Sequence, residues 1–157
     1  MKSRIIDVTS ELVLTEKAEE WCSLPYPDHP GGCPNYGEKE GCPPDAPDVD
    51  KFIDLNRRHW FVVVRFDLGS FEKKMKDKHP DWTSRQARCL LYWQNSVRKR
   101  LRKEVKRFKE DHPETVSTEI PEAMGVHVLA TARKFDIPIR KDPEKYVYKI
   151  ALVGYPA

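Results

Sequence analysis

Trp60-Phe61-Val62-Val63-Val64-Arg65-Phe66 is the stretch on which the fold turns. Six of its seven residues are β-branched or aromatic and Arg65 is the single charge, and such a run is too apolar to be a strand exposed on both faces. It predicts the central strand of a sheet. Tyr146-Val147-Tyr148-Lys149-Ile150-Ala151-Leu152-Val153 has the same character and predicts a second strand that closes the domain, with Ile137-Pro138-Ile139 as a further short one. Residues 3–14 mix Ile5, Ile6, Val8 and Val13 with polar residues and supply one more.

Helices are expected between these strands. Thr15 caps a short one from Glu16 to about Cys22, and Asp48 caps another through Arg57 with Val49, Phe52, Ile53 and Leu55 on its apolar face. Gly69-Ser70 turns the central strand into a helix ending near His79-Pro80. Thr83-Ser84-Arg85-Gln86 is a capping box that opens the longest helix, running to about Asp111 before His112-Pro113 stops it. Leu90, Val97, Leu101, Val105 and Phe108 recur at helical intervals and predict one buried stripe. Pro121 to Phe135 reads as helix, with Gly125 as a break. Alternating strands and helices give an α/β (or α+β) class: a small sheet of three to five strands packed by helices, with a long irregular metal-binding loop.

The chain has 157 residues, which predicts one domain spanning 1–157. Composition is globular and rather polar, 39% hydrophobic against 34% charged. No run of apolar residues is long enough for a membrane span. The opening MKSRIIDVTSELVLTEKAEEW lacks the continuous apolar region of a secretion signal, so a cytoplasmic location is expected. In that reducing setting a cysteine cluster points to metal rather than to disulfides.

Three of the four cysteines, Cys22, Cys33 and Cys42, fall in one stretch, and residues 22–47 hold seven of thirteen prolines and four of seven glycines. Proline removes backbone donors and glycine raises the cost of ordering, so the 23–47 loop cannot form helix or strand. A loop this long is disordered or is tied down by something else. Thiolates are the soft ligands that zinc and iron–sulfur clusters select. The gaps of ten and eight residues are unlike the tight paired knuckles of structural zinc. Cys33-Pro34 and Cys42-Pro43 instead place a donor-free residue after each ligand, as at the last cysteine of bacterial ferredoxin motifs. The expected cofactor is therefore a [4Fe–4S] cluster, with zinc as the alternative.

Cys89, early in the expected long helix, is read as the fourth metal ligand; the competing explanation is a small buried hydrophobe. Arg85, Cys89 and Trp93 would share a helix face beside the buried stripe. If Cys89 is not a ligand, one iron is open, and His29, Asp45 or water could fill the position. Trp21, Tyr26 and Tyr36 flank the cysteines and would shield the metal from water. Arg98, Lys99, Arg102 and Lys106 belong to a basic run on the long helix. A solvated charged face is the commoner explanation of such a run, and a phosphate-binding surface for nucleic acid or another anion is the sharper one. His127, Thr131 and Arg133 are either ordinary packing and surface residues or substrate contacts near the metal. No Walker loop, dinucleotide fingerprint or serine–histidine–aspartate pattern is present, so catalytic residues are not assigned.

The segment G-Cys33-Pro-Asn-Tyr-Gly-Glu-Lys-Glu-Gly-Cys42-Pro-Pro resembles the signature of an uncharacterised prokaryotic family of predicted metal-binding proteins, which runs cysteine, then Cys-Pro-x-Tyr-Gly, then Cys-Pro-Pro. The stretch from Pro121 to Ile139, PEAMGVHVLATARKFDIPI, is similar to a second segment of that family. Many members carry a further cysteine-rich group where this chain has Glu110 to Ile120 without a cysteine, so a second metal site is not implied. The resemblance implies a metal at Cys22, Cys33 and Cys42 and no established reaction. Three functions follow. The first is an iron–sulfur protein acting in redox with a partner, or in binding an anionic substrate or nucleic acid. The second is an enzyme using an open iron of a three-cysteine cluster on a nucleotide or RNA, in sulfur or oxygen chemistry. The third is a zinc-stapled interaction domain.

Overall fold

A computed structural model describes residues 1–25, 29–140 and 142–157, with only the backbone of residues 18 and 19. Four strands form one antiparallel sheet: β1 (Lys2–Asp7), β2 (His59–Asp67), β3 (Val116–Thr118) and β4 (Tyr146–Gly154), in the order β1-β2-β4-β3. The class is mixed α/β with a small sheet packed by helices. The run 60–66 is the inside of β2, and its alternate side chains feed two separate cores. Phe61 and Val63 join Ile150 and Leu152 of β4, Ile6 of β1, and the segment Met124–Ile137 on one face. Trp60, Val62 and Val64 join Ala151, Val153 and helix α5 on the other. Both faces of β2 are therefore dry, which is why its sequence shows almost no polar alternation.

Helix α1 (Ala18–Ser23) and α2 (Val49–Phe52) flank the cysteine loop. α2 is one turn long and does not reach Arg57. Ile53 leaves it in extended conformation and is fully buried, donating its N–H back to Val49 while it bridges to Pro156. Ile53 packs beside Gly154, and its burial favours leaving the helix. α3 (Leu68–Lys78) is capped by Asp67, whose carboxylate accepts the Ser70 N–H at 2.9 Å.

The expected helix from Thr83 to Asp111 is three pieces. The Thr83/Gln86 capping box forms as read, yet it opens only the single turn α4 (Ser84–Ala87). Cys89 is extended (φ −54°, ψ 124°), a 3₁₀ turn spans Leu90–Tyr92, and α5 proper is Gln94–Asp111. The break exposes Leu90, which drops out of the buried stripe, whereas Val97, Leu101, Val105 and Phe108 are buried as expected. Its cause is tertiary. Trp93 stacks on Phe66 of β2 with centroids 5.3 Å apart, and its indole N–H donates to the Arg88 carbonyl at 3.0 Å, satisfying an acceptor the interrupted helix leaves open.

Three smaller departures follow the same logic. Residues 137–139 are not a strand; Ile137 plugs the first core from a loop. β3 pairs instead, through only three residues of low apolar content. Pro121–Phe135 is a 3₁₀ turn (Pro121–Met124) followed by α6 (Val128–Arg133), divided at Gly125. Gly125 has φ +88°, and a Cβ there would meet the Thr15 carbonyl at 3.0 Å, so the break requires glycine. β1 ends at Asp7, but residues 13–15 still run beside this segment: His127 N–H donates to the Val13 carbonyl and Thr15 N–H to the Gly125 carbonyl, each at 2.7 Å.

Candidate metal centre

From Cys33 to Ala46 the chain is a succession of tight turns. Tyr36 N–H donates to the Cys33 carbonyl, Glu38 and Lys39 to Asn35, Cys42 to Lys39, and Asp45 and Ala46 to Cys42. Proline and glycine dictate this: turns satisfy their own donors where a ladder cannot form. The turns close on themselves through Gly37 N–H to the Pro43 carbonyl at 2.9 Å. Between residues 29 and 47 only Gly32 and Pro43 are buried, so the loop takes little from the hydrophobic cores.

Cys22 and Cys33 meet through their backbones: the Cys33 N–H donates to the Cys22 carbonyl at 2.7 Å. Gly32 makes this approach possible. It has φ +89°, and a Cβ would lie 2.5 Å from the Cys22 oxygen and within 2.8 Å of the Ser23 backbone. The sequence reading passed over Gly32, although a glycine directly before a candidate ligand is the signal that would have found it. Cys42 sits in the next turns of the same loop. The four cysteines are half-buried and none is in a disulfide. Among the described residues no three His, Cys, Asp or Glu side chains gather closely enough to hold a metal ion. His29 accepts the Gly32 N–H on its carbonyl, and Asp45 is exposed.

Cys89 lies elsewhere. Its neighbours Arg88 and Trp93 bind Glu72 of α3 and Phe66 of β2, within the α5 layer. The loop is on the other face: Trp21 of α1 packs edge-on against His127 at 5.4 Å, beside the core that holds Met124 and Val128. The helix face shared by Arg85, Cys89 and Trp93 does not exist because the helix is broken there. Thus the fold brings Cys22 and Cys33 together and leaves Cys89 across the sheet. Tyr26 falls outside the described residues. Trp21 remains 42% exposed.

His127 and Thr131 have structural work. The His127 Nδ1 accepts the Ala130 N–H at 3.1 Å and caps α6. Thr131, fully buried, donates its hydroxyl to the His127 carbonyl and accepts the Val13 N–H, both at 2.9 Å. Arg133 is exposed at the end of α6.

On α5, Arg98, Arg102 and Lys106 recur every four residues and share one flank with Lys99 and Lys109. Arg102, Lys106 and Lys109 line a groove of about 390 Å³ against Ser117 and Glu119 of the β3 segment. Glu119 holds Arg102 at 3.0 Å, and the buried Glu104 takes Arg100 and Arg107. Arg98, Lys99, Lys106 and Lys109 have no ion pair among the described residues. This groove and the cysteine loop lie on opposite faces of the sheet. Beside the loop is a cleft of about 650 Å³ floored by Val49, Leu55 and Met124 and rimmed by Glu16, Asp48 and Asp50. The rim of this cleft is acidic, and the basic flank of α5 lies on the other face of the sheet. Among the described residues no helix is long and apolar enough to cross a membrane. Comparison of the chain with protein-family models, with curated proteins and with solved structures finds no match in any of the three.

Proposed function

We propose that this protein binds a thiophilic metal centre, an iron–sulfur cluster in the first instance, through Cys22, Cys33 and Cys42. The observation that carries the reading is the Cys22–Cys33 junction, two soft donors drawn together across a glycine that no other residue can replace without displacing backbone. A loop of turns with almost no share in the cores supports it, because such a loop lacks the burial that normally offsets ordering entropy. The Cys42 turns must close on the junction, so metal uptake and loop ordering are one event. The donor set fits a [4Fe–4S] cluster or zinc, and a bound cluster would supply one-electron redox chemistry. Cys89 is left out because the sheet separates it from the loop. Three thiolates leave a four-iron cluster one protein ligand short, which keeps an enzyme acting at that position as the alternative, without electrostatic help from α5. A reducing, cytoplasmic setting accompanies the reading, with a redox partner for the loop. The α5 flank, facing away from it, serves an anionic partner, RNA or DNA.

Anaerobic purification with metal analysis, visible absorption and electron paramagnetic resonance tests the proposal. Iron with a thiolate charge-transfer band in wild type is expected, lost when Cys22, Cys33 or Cys42 is changed to serine and kept in Cys89→Ser. Zinc with the same mutational pattern assigns the interaction-domain alternative. Full metal content in all three loop variants, or none in wild type after anaerobic reconstitution, would refute metal binding by this loop.

A further inference from the structure

We infer that the uncovered end of the sheet is a binding site for single-stranded nucleic acid, its bases stacked at Tyr146 and Tyr148 and its phosphates held by Lys2, Arg4 and Arg65. The strand register puts these residues on one face. Lys2 pairs with Arg65, which pairs with Tyr148; Arg4 pairs with Val63; and Tyr146 stands opposite Asp67. Further along that face Phe61, Val63, Ile150 and Leu152 are covered by the Met124–Ile137 segment; at this end the cover is partial, leaving Tyr146 and Tyr148 half-buried, Tyr148 with one side against that core. What remains is a concave cleft of about 540 Å³ walled by Asp136, Ile137 and Pro138, at the end of the face away from Val49 and Ile53 and hence from the cysteine loop.

Its chemistry is that of a stacking platform. The Arg65 guanidinium lies over the Tyr146 ring at 4.3 Å, and the Lys145 ammonium is 5.3 Å from the same ring. Aromatic faces and guanidinium planes accept any base, and flanking cations hold the backbone, which is how single strands are bound without sequence preference. Lys2, Arg4 and Arg65 form no ion pair among the described residues, and Asp136 is the one carboxylate in the lining. Lys2 and Arg4 are exposed and repeat along β1 at about 6.6 Å, a spacing that suits neighbouring phosphates of an extended strand. Two cations at that repeat favour a strand over a free mononucleotide, which brings only one phosphate. The site is independent of the cysteine loop and on the other face from the α5 groove.

The test is fluorescence anisotropy of the full chain with a labelled oligo(dT) of about ten nucleotides at about 50 mM salt. Lys2→Gln with Arg4→Gln should weaken binding about tenfold and lower the salt slope by about 1.4, two phosphate contacts' worth. Tyr146→Leu should weaken it fivefold or more with the slope unchanged. Lys17→Gln with Lys51→Gln, the same loss of charge at exposed positions away from the cleft, should bind as wild type. Because Tyr146 is half-buried, the doubly substituted β1 variant, altered only at exposed positions, decides the matter if Tyr146→Leu fails to fold. Undiminished binding by the β1 variant, no binding by wild type, or equal competition by thymidine monophosphate per nucleotide would each overturn the proposal.

Discussion

Replacing Gly32 by alanine should open the Cys22–Cys33 junction while leaving the rest of the molecule folded. Two costs add. Holding a residue with a Cβ in the left-handed region costs about 1–2 kcal/mol. The new Cβ would lie 2.5 Å from the Cys22 oxygen and 2.7–2.8 Å from Ser23 backbone atoms, so the α1 end must retreat by about 1 Å to reach ordinary contact. That retreat lengthens the 2.7 Å Cys33–Cys22 hydrogen bond beyond use, a net loss of about 1 kcal/mol. The sum, about 2–3 kcal/mol, corresponds to roughly 30- to 150-fold faster amide exchange at Cys33. Hydrogen exchange measured by nuclear magnetic resonance reads it directly. Gly31→Ala is the internal control, since that position has no atom within 4 Å of a new Cβ and no positive φ; its exchange should match wild type. The global melting temperature should scarcely move in either variant, because the loop adds almost nothing to the two cores. Equal exchange at Cys33 in the two variants, or a collapse of the whole fold in Gly32→Ala, would show the junction is not built as described.

Thr131→Val keeps the shape of a fully buried side chain but strands the Val13 N–H, so a loss of about 1–3 kcal/mol and a fall of several degrees in thermal unfolding are expected; Thr131→Ser should recover most of it, and a valine variant as stable as wild type would contradict the hydrogen-bond assignment. Asp7 is held at a pKa of about 2, below its ordinary 3.8, chiefly by the Thr9 hydroxyl and then by the Thr9 N–H and Arg58. A depressed carboxylate stabilises the fold above pH 3.8 and loses that contribution as pH falls toward 2. Linkage alone gives about 2.4 kcal/mol, reduced to on the order of 1 by screening at a side chain 42% exposed. Asp7→Asn should therefore be less stable than wild type at pH 6, with most of that gap gone at pH 2, as urea titrations would show; an undiminished gap at pH 2 contradicts this.

β2 and β4 were legible because burial on both faces leaves an unbroken apolar run, a pattern no neighbouring element can disguise. The α5 stripe and the Thr83–Gln86 capping box were legible for the same reason: each is a local pattern whose partners lie within a turn or two. The break at Cys89 was not. No proline or glycine marks it, and it is decided by Trp93 finding Phe66, a residue some thirty positions away that only the sheet brings near. β3 was hidden because three residues of mixed polarity become a strand only when an edge of β4 is offered to them. For the candidate centre, composition alone singled out Cys22, Cys33 and Cys42, since proline, glycine and thiol content follow from residue identity. Which cysteines meet was a question of layers. α5 and the Met124–Ile137 segment, beside which α1 leads into the loop, pack on opposite faces of β2, and that choice, made by which alternate side chains of one strand each covers, separated Cys89 and the basic flank from the loop. The sheet-end cluster of Lys2, Arg4, Arg65, Tyr146 and Tyr148 was likewise beyond sequence reading, because strand register, not proximity along the chain, puts those side chains on one face.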